Sequence, residues 1–239
     1  MIPRLHCPQP LTTGRVIDLP AAAAHHARRV LRLGQGDPVI LFDGLGGEYD
    51  GCLVGDDRVR LDRHHDIERE APLAITLVQG LPSGDKMDWV VQKAVELGVA
   101  RIQPLQTRRS LIRLSGERAN RRIEHWQQVA VAACEQCGRN RIPEVAPLLE
   151  LPVFLGYPAP VGEARYLLAP ADAASLSSLA PPSAGISLLV GPESGFEDSE
   201  LLAARAAGFR PLTLGPRILR SETAGLAALA ALQGRWGGF

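Results

Sequence analysis

The stretch LTLGPRILRSETAGLAALAAL, Leu212 to Leu232, decides how this chain is read. It starts as a short apolar strand and breaks at Gly215-Pro216. It then passes through Arg220, Ser221, Glu222 and Thr223 and enters a helix with no charge from Ala224 to Leu232. Glycine reaches backbone angles closed to other residues and proline has no N–H for a sheet, so the pair ends a strand abruptly. The same design stands upstream in LLVGPESGFEDSELLAARA, where an apolar strand stops at Gly191-Pro192, turns through Glu193, Ser194 and Gly195, and enters a helix near Asp198. Neither turn carries a phosphate loop or a dinucleotide fingerprint.

Working outward, strand-like and helix-like segments alternate from Leu73 onward. LAITLVQGL, ARIQPLQT, RYLLA, ISLLV and PLTL read as strands, and MDWVVQKAVELG, ERANRRIEHWQQVAVAACEQC and DSELLAARAAG as helices. This order predicts an α/β fold with a mostly parallel sheet and helices on both faces. Ligands of such sheets bind beyond the carboxyl ends of the strands. Two Gly-Pro corners in consecutive units are expected side by side at one sheet edge, their main chains converging on one ligand. Free amides and carbonyls without a phosphate loop suit an adenine edge and a ribose, hence a nucleoside-type ligand. Before Glu70-Ala71-Pro72 the texture is different: a short amphipathic helix, then strands around a GLGG turn. Two domains are expected, 1–71 small and β-rich, 72–239 α/β.

With 46% hydrophobic and 22% charged residues in 239, the chain has the composition of a globular protein. No apolar run has the length of a membrane span and no signal peptide is recognisable, so a cytoplasmic protein is expected. The net charge is zero, but cations cluster. Arg101 to Arg122 holds seven arginines and one acid, and Ile2 to Arg32 holds five arginines and one acid. Such patches can track phosphates whatever the total charge. Cys134 and Cys137 form a C-x-x-C inside a helical pattern with no second pair, and the pairs His25-His26 and His64-His65 lack a third ligand; no metal site is expected.

Several separated blocks carry a family resemblance. VGPESGF, LTLGPRILRSETA, GLPSGDKMDWVVQKAVELGV and AACEQCGRNRIPEV resemble the signature blocks of the ribosomal RNA small-subunit methyltransferase E family, a branch of the knotted SPOUT superfamily that uses S-adenosylmethionine. HHARRVLRLGQGDPVILFDGLGGEYDG resembles that family's PUA-like RNA-binding barrel. The chain departs from the pattern in three places: Ser194 where a glycine is usual, Ser221 where a threonine is usual, and Arg108-Arg109-Ser110 where Glu-Arg-Ser is usual. The resemblance implies a SPOUT-type trefoil-knotted domain with a PUA-like barrel. It further implies a homodimer and methylation of N3 of a uridine in 16S rRNA of the small ribosomal subunit.

By the same resemblance the cofactor contacts fall on Gly191, Pro192, Glu193, Leu212, Leu214, Gly215, Ile218, Leu219, Arg220, Thr223 and Ala224. Catalysis falls on Arg220, Glu222 and Arg109, and RNA contacts on Arg109, Arg139, Asn140 and Arg141. Arg28, Arg29 and Arg32 of the small domain are further candidates for phosphate contacts. Read as residues alone, Glu222 is equally a first-turn carboxylate at a helix dipole, and any one arginine is more often a phosphate contact than a catalyst. Two other readings stay open at this stage: a sibling enzyme acting on another rRNA or tRNA nucleotide, and a non-catalytic RNA-binding assembly factor.

Overall fold

The computed structural model describes residues 2–169 and 173–238. These form two compact units, residues 1–70 with 131–142, and residues 71–130 with 143–239. The segment 131–142 therefore belongs with the amino-terminal residues, a placement that no composition shift announces.

In the first unit, β1 (Arg4–His6), β2 (Val16–Asp18), β3 (Pro38–Phe42), β4 (Glu48–Leu53) and β5 (Arg58–His65) make a sheet in the order β1-β3-β4-β5-β2. Among the described residues of this sheet the β1–β3 pairing is parallel and the others are antiparallel. A β-bulge between Asp50 and Gly51 interrupts the β4–β5 register, where Gly51 leaves no room for a Cβ against Arg60 and Val59. α1 (Ala21–His25) runs into a π-helical turn, His26–Val30, and packs Ala23 and Ala27 on the core of Leu5, Leu41, Leu53, Val59 and Leu61.

Among the described residues of the second unit, every strand pairing is parallel. The strands are β6 (Ile75–Gly80), β7 (Arg101–Gln106), β8 (Glu144–Val145), β9 (Leu149–Glu150), β10 (Ala164–Leu168), β11 (Ala174–Ser175), β12 (Ile186–Val190) and β13 (Arg210–Thr213). Their order is β11-β13-β10-β12-β6-β7-β8, with β9 also on β7. β12 reads Ile-Ser-Leu-Leu-Val without polar alternation because both its faces are covered. Val78, Leu105, Leu167 and Leu189 point to one face, under α4 (Leu151–Leu155) and α5 (Asp198–Ala206). On the other face Leu77, Gln79 and Val190 meet α6 (Ser221–Leu232), which also packs on α2 (Lys86–Glu96). A full burial of one such aliphatic side chain contributes roughly 1.5–3 kcal/mol.

The bland composition of α6 now has a reason. A Cβ on Gly225 would stand 3.1 Å from Leu77, 3.2 Å from Gln79 and 3.3 Å from Val190, so any larger residue there would press these side chains back by a few tenths of an ångström. The long helix α3 (Gly116–Cys137) follows β7. α4 in the proline-rich middle escapes the periodicity reading; its Pro152 sits in the first turn, where a missing N–H costs nothing.

Candidate active site

The two Gly-Pro corners both lie beyond carboxyl ends of parallel strands, but not side by side at one edge. β10 separates β12 from β13, and β12 lies inside the sheet. The expectation of adjacency is corrected here: consecutive units along the chain are not consecutive in this sheet, because β13 pairs on the far side of β10.

The second corner borders a cleft. Its walls are Leu168 and Ala169 at the end of β10, the run Leu212 to Leu219, and Ala224 of α6. Leu212, Leu214, Gly215, Ile218 and Leu219 of the expected cofactor set thus share one concavity with Ala224, whereas Arg220 and Thr223 lie outside its wall. Gly215 has φ +117°, with nothing within 4 Å of where a Cβ would sit, so the backbone requires glycine and the space before it is open. Thr213 holds this turn: its Oγ1 donates to the Gly215 carbonyl at 3.0 Å and accepts from the Gly215 N–H at 3.3 Å. Leu168 and Ala169 were missed from sequence; their place in the cleft follows from the β10–β13 pairing.

The first corner is engaged by its neighbours. Pro192 is buried, and a Cβ on Gly80 at the end of β6 would strike it at 2.8 Å. The Glu193 carboxylate accepts from the Ser83 N–H at 3.0 and 3.2 Å, from Ser83 Oγ at 2.7 Å and from Lys86 Nζ at 2.8 Å. Burial raises this carboxyl, but the hydrogen bonds from Lys86 and Ser83 outweigh it and bring it down to about 2. Gly191, Pro192 and Glu193 do not line the cleft. Ser194 is not among the residues with positive φ; Gly195 beside it takes that conformation at +68°. The serine therefore causes no backbone strain.

At the start of α6 the two corners are tied together. Ser221 Oγ donates to the Gly191 carbonyl at 2.5 Å and accepts from Gln79 Nε2 at 3.0 Å. Lys86 Nζ, already on Glu193, also lies 3.4 Å from Glu222 Oε1. Hydrogen bonding and charge from the two carboxylates, the bond to Glu193 first, raise the Lys86 pKa. Glu222 is thus one arm of an ion network rather than a lone carboxylate at a helix dipole. Gln79, Ser83 and Lys86 belong to this site although their sequence signal, QGLPSGDK after a strand, shows only a turn.

The arginines divide into two kinds. Arg109 and Arg220 are exposed at strand-end loops, and Arg109 Nη1 donates to the Ser194 carbonyl at 3.3 Å. Arg28, Arg29 and Arg32 are exposed on and just after the π-helical turn, with Arg28 paired to Asp56 at 3.1 Å. Arg32 has φ +56°, alone among the described non-glycine residues. Arg141 is half exposed on Glu68 at 2.5 Å. Arg139 and Asn140, expected to face RNA, are corrected: they are 5% and 0% exposed inside the first unit. Arg139 pairs with Glu70, its Nε donating at 2.9 Å. Asn140 donates to the Ile67 carbonyl at 3.0 Å and accepts from Arg4. Arg4 and Arg69 in turn share Glu48 at 2.6 and 2.8 Å; burial raises that carboxyl, and bonds from both arginines and Asn140 bring it to about 2. The Arg108 departure is accommodated at the surface: its side chain is exposed with Nε 3.7 Å from Glu197, while its main-chain N–H donates to the buried Glu200 at 2.9 Å. Burial pushes the Cys134 thiol up to about 12, which makes it a poor nucleophile or ligand.

Comparison with known proteins places these loops in a known context. The model of the RNA methyltransferase domain family matches residues 69–233, and that of the RNA methyltransferase PUA domain matches residues 19–62. A ribosomal RNA small subunit methyltransferase E from Bacillus subtilis is 32% identical over 87% of this chain and 86% of its own length. Its Synechocystis counterpart is 34% identical over 90% of this chain and 72% of its own. A crystal structure of the Neisseria gonorrhoeae protein of that name, bound to S-adenosyl methionine, superposes with a TM-score of 0.92 at 38% identity, covering both chains completely.

Proposed function

The chain belongs to the ribosomal RNA small subunit methyltransferase E family, and on that premise we propose that it transfers the methyl group of S-adenosylmethionine to N3 of a uridine in 16S rRNA. The observation that carries this reading is the cleft of the second corner. It offers main-chain groups at a turn held open by Gly215, between apolar walls from β10, β13 and α6. A nucleoside fits such a lining, and the lack of a phosphate loop suits a cofactor without a pyrophosphate.

When bound, S-adenosylmethionine supplies an electrophilic methyl on its sulfonium. Leu212, Leu214, Gly215, Ile218, Leu219 and Ala224 would hold it. The chain must also deal with a proton, because uridine N3 is protonated at neutral pH and becomes a nucleophile as that proton passes to water; the methyl then moves from sulfur to N3 and leaves a neutral thioether. Arg220 and Arg109 are the groups we assign to the base: a guanidinium beside O2 or O4 stabilises the negative charge that develops there. Glu222, held beside Lys86, orients the first turn of α6 behind Arg220. Arg28, Arg29, Arg32 and Arg141 are assigned to RNA phosphates.

The proposal includes a homodimer and the trefoil knot of the SPOUT superfamily. The dimer rests on membership of the family. The knot is supported by the depth at which the last segment is held: Gln233 Nε2 donates to the carbonyls of Leu73 at 3.2 Å and Gly98 at 3.0 Å. Tritiated methyl transfer to small subunits lacking the modification, with mapping of the labelled base, tests the reaction. Label on any atom other than a uridine N3 of 16S rRNA would refute it. Replacing Arg28, Arg29 and Arg32 by glutamine should lower the salt slope of RNA binding by up to about 2 if all three meet phosphates of single-stranded RNA. An unchanged slope removes them from the interface.

A further inference from the structure

Gln79 is a polar residue in the middle of a parallel sheet, 0% exposed, on a strand whose other side chains are apolar or small except at Thr76. Its amide is oriented without ambiguity. Nε2 stands 2.9 Å from the Gly80 carbonyl, which only accepts, so the NH2 must face that way. The second amide hydrogen goes to Ser221 Oγ, and Ser221 passes its own hydrogen to the Gly191 carbonyl. The relay is directional, from β6 through the first residue of α6 to the first Gly-Pro corner. Its cost is visible at the other end of the same amide: Gln79 Oε1 has no hydrogen-bond partner among the described residues and lies against Gly225. A leucine or methionine would fill the position without leaving a buried acceptor unmatched. Packing alone does not explain a glutamine here, and rule-breaking buried groups concentrate where function requires them.

We infer that Gln79 is a positioning residue for the cofactor cleft, fixing through Ser221 where α6 begins and hence where the run Leu214 to Arg220 lies. This rests on the reading of that cleft as the S-adenosylmethionine site. A structural buried polar group and a positioning group differ in one respect. Loss of the first lowers stability and binding together, whereas loss of the second lowers binding while removal of the orphaned oxygen leaves stability unchanged or improved.

The test measures S-adenosylmethionine affinity by calorimetry and the melting temperature of the full chain, for wild type, Gln79→Met, Ser221→Ala and the double variant. Affinity is expected to fall about tenfold in each single variant, the order expected for one lost hydrogen-bonded contact. The double variant should be no worse than the weaker single one, since both cut the same relay. The Gln79→Met melting temperature should equal or exceed that of wild type. Unchanged affinity in Gln79→Met, losses that multiply in the double variant, or a melting temperature that falls with affinity would each overturn the inference. Should Gln79→Met not fold, the positioning role is refuted in favour of a structural one. Ser221→Ala, which removes one oxygen, then reports whether that bond matters to the cleft at all. A folded wild-type chain that binds no S-adenosylmethionine would instead refute the reading of the cleft itself.

Discussion

The two Gly-Pro corners share a sequence design and have opposite fates. At Gly191-Pro192 the groups nearest the sheet are already engaged: the Glu193 carboxylate by Ser83 and Lys86, the Gly191 carbonyl by Ser221. At Gly215-Pro216 the side chains of Pro216, Arg217 and Ile218 are exposed, and among the described residues the turn's side-chain tie is Thr213 on Gly215. One corner is a brace and the other a receptacle. The difference comes from neighbours: β12 lies between β10 and β6, and the turn after β6 closes over its end through Ser83 and Lys86, while among the described residues β13 has the two-residue β11 outside it. An identical local motif acquires its role from its place in the sheet.

That contrast can be broken by experiment. The largest effect is expected from Gly215→Val. The new side chain must adopt φ +117° and would project into the cleft, so titration calorimetry should detect no S-adenosylmethionine binding while circular dichroism stays native. Retained affinity would show that the second corner is no receptacle. Next is Lys86→Met, which leaves Glu193 and Glu222 without their shared cation. Methyl transfer should fall about tenfold, chiefly through weaker cofactor binding as the start of α6 shifts. Unchanged kinetics would mean that the ionic tie braces nothing.

A third test uses acid. The Glu193 carboxyl lies at about 2 in the folded chain against an ordinary 4.5. Its ionised form therefore stabilises the fold fully above about 4.5, and that contribution disappears as pH falls towards about 2. Thermal melts of Glu193→Gln should lose part of the wild-type decline across this window. A residual decline is expected from Glu48, whose carboxyl is depressed to the same value. The smallest effect should come from Thr213→Val, which removes the clasp on Gly215; S-adenosylmethionine affinity should drop a few-fold with the melting temperature nearly unchanged. A drop as large as that of Gly215→Val would make the receptacle as rigid as the brace.

What could be read from sequence follows the range of the interactions involved. β12 and β13 are legible because apolar runs stopping at Gly-Pro are local signals, and α2 because Met87, Val90, Val91, Ala94 and Val95 share a face. The neighbour relation between β10 and β13 is not local, so the corners were expected together at an edge. Arg139 and Asn140 looked like surface residues in GRNR, yet their partners Glu70, Ile67 and Arg4 lie far back in the chain. Lys86 stood in plain view in a turn; only the meeting of three loops makes it a bridge.

The discontinuity of the first unit has a consequence for biosynthesis. When residue 70 has left the ribosome, its five strands exist but Glu70 lacks Arg139, Arg4 lacks Asn140, and the His6 N–H lacks Glu135, which accepts it at 2.8 Å. The nascent chain must wait until residue 142 emerges, by which time β6, α2, β7 and all of α3 have been translated. A gene fragment ending at the apparent boundary near Ala71 would therefore encode an unfinished domain, with a glutamate- and arginine-rich surface of Glu68, Glu70, Arg4 and Arg69 that its own missing segment covers.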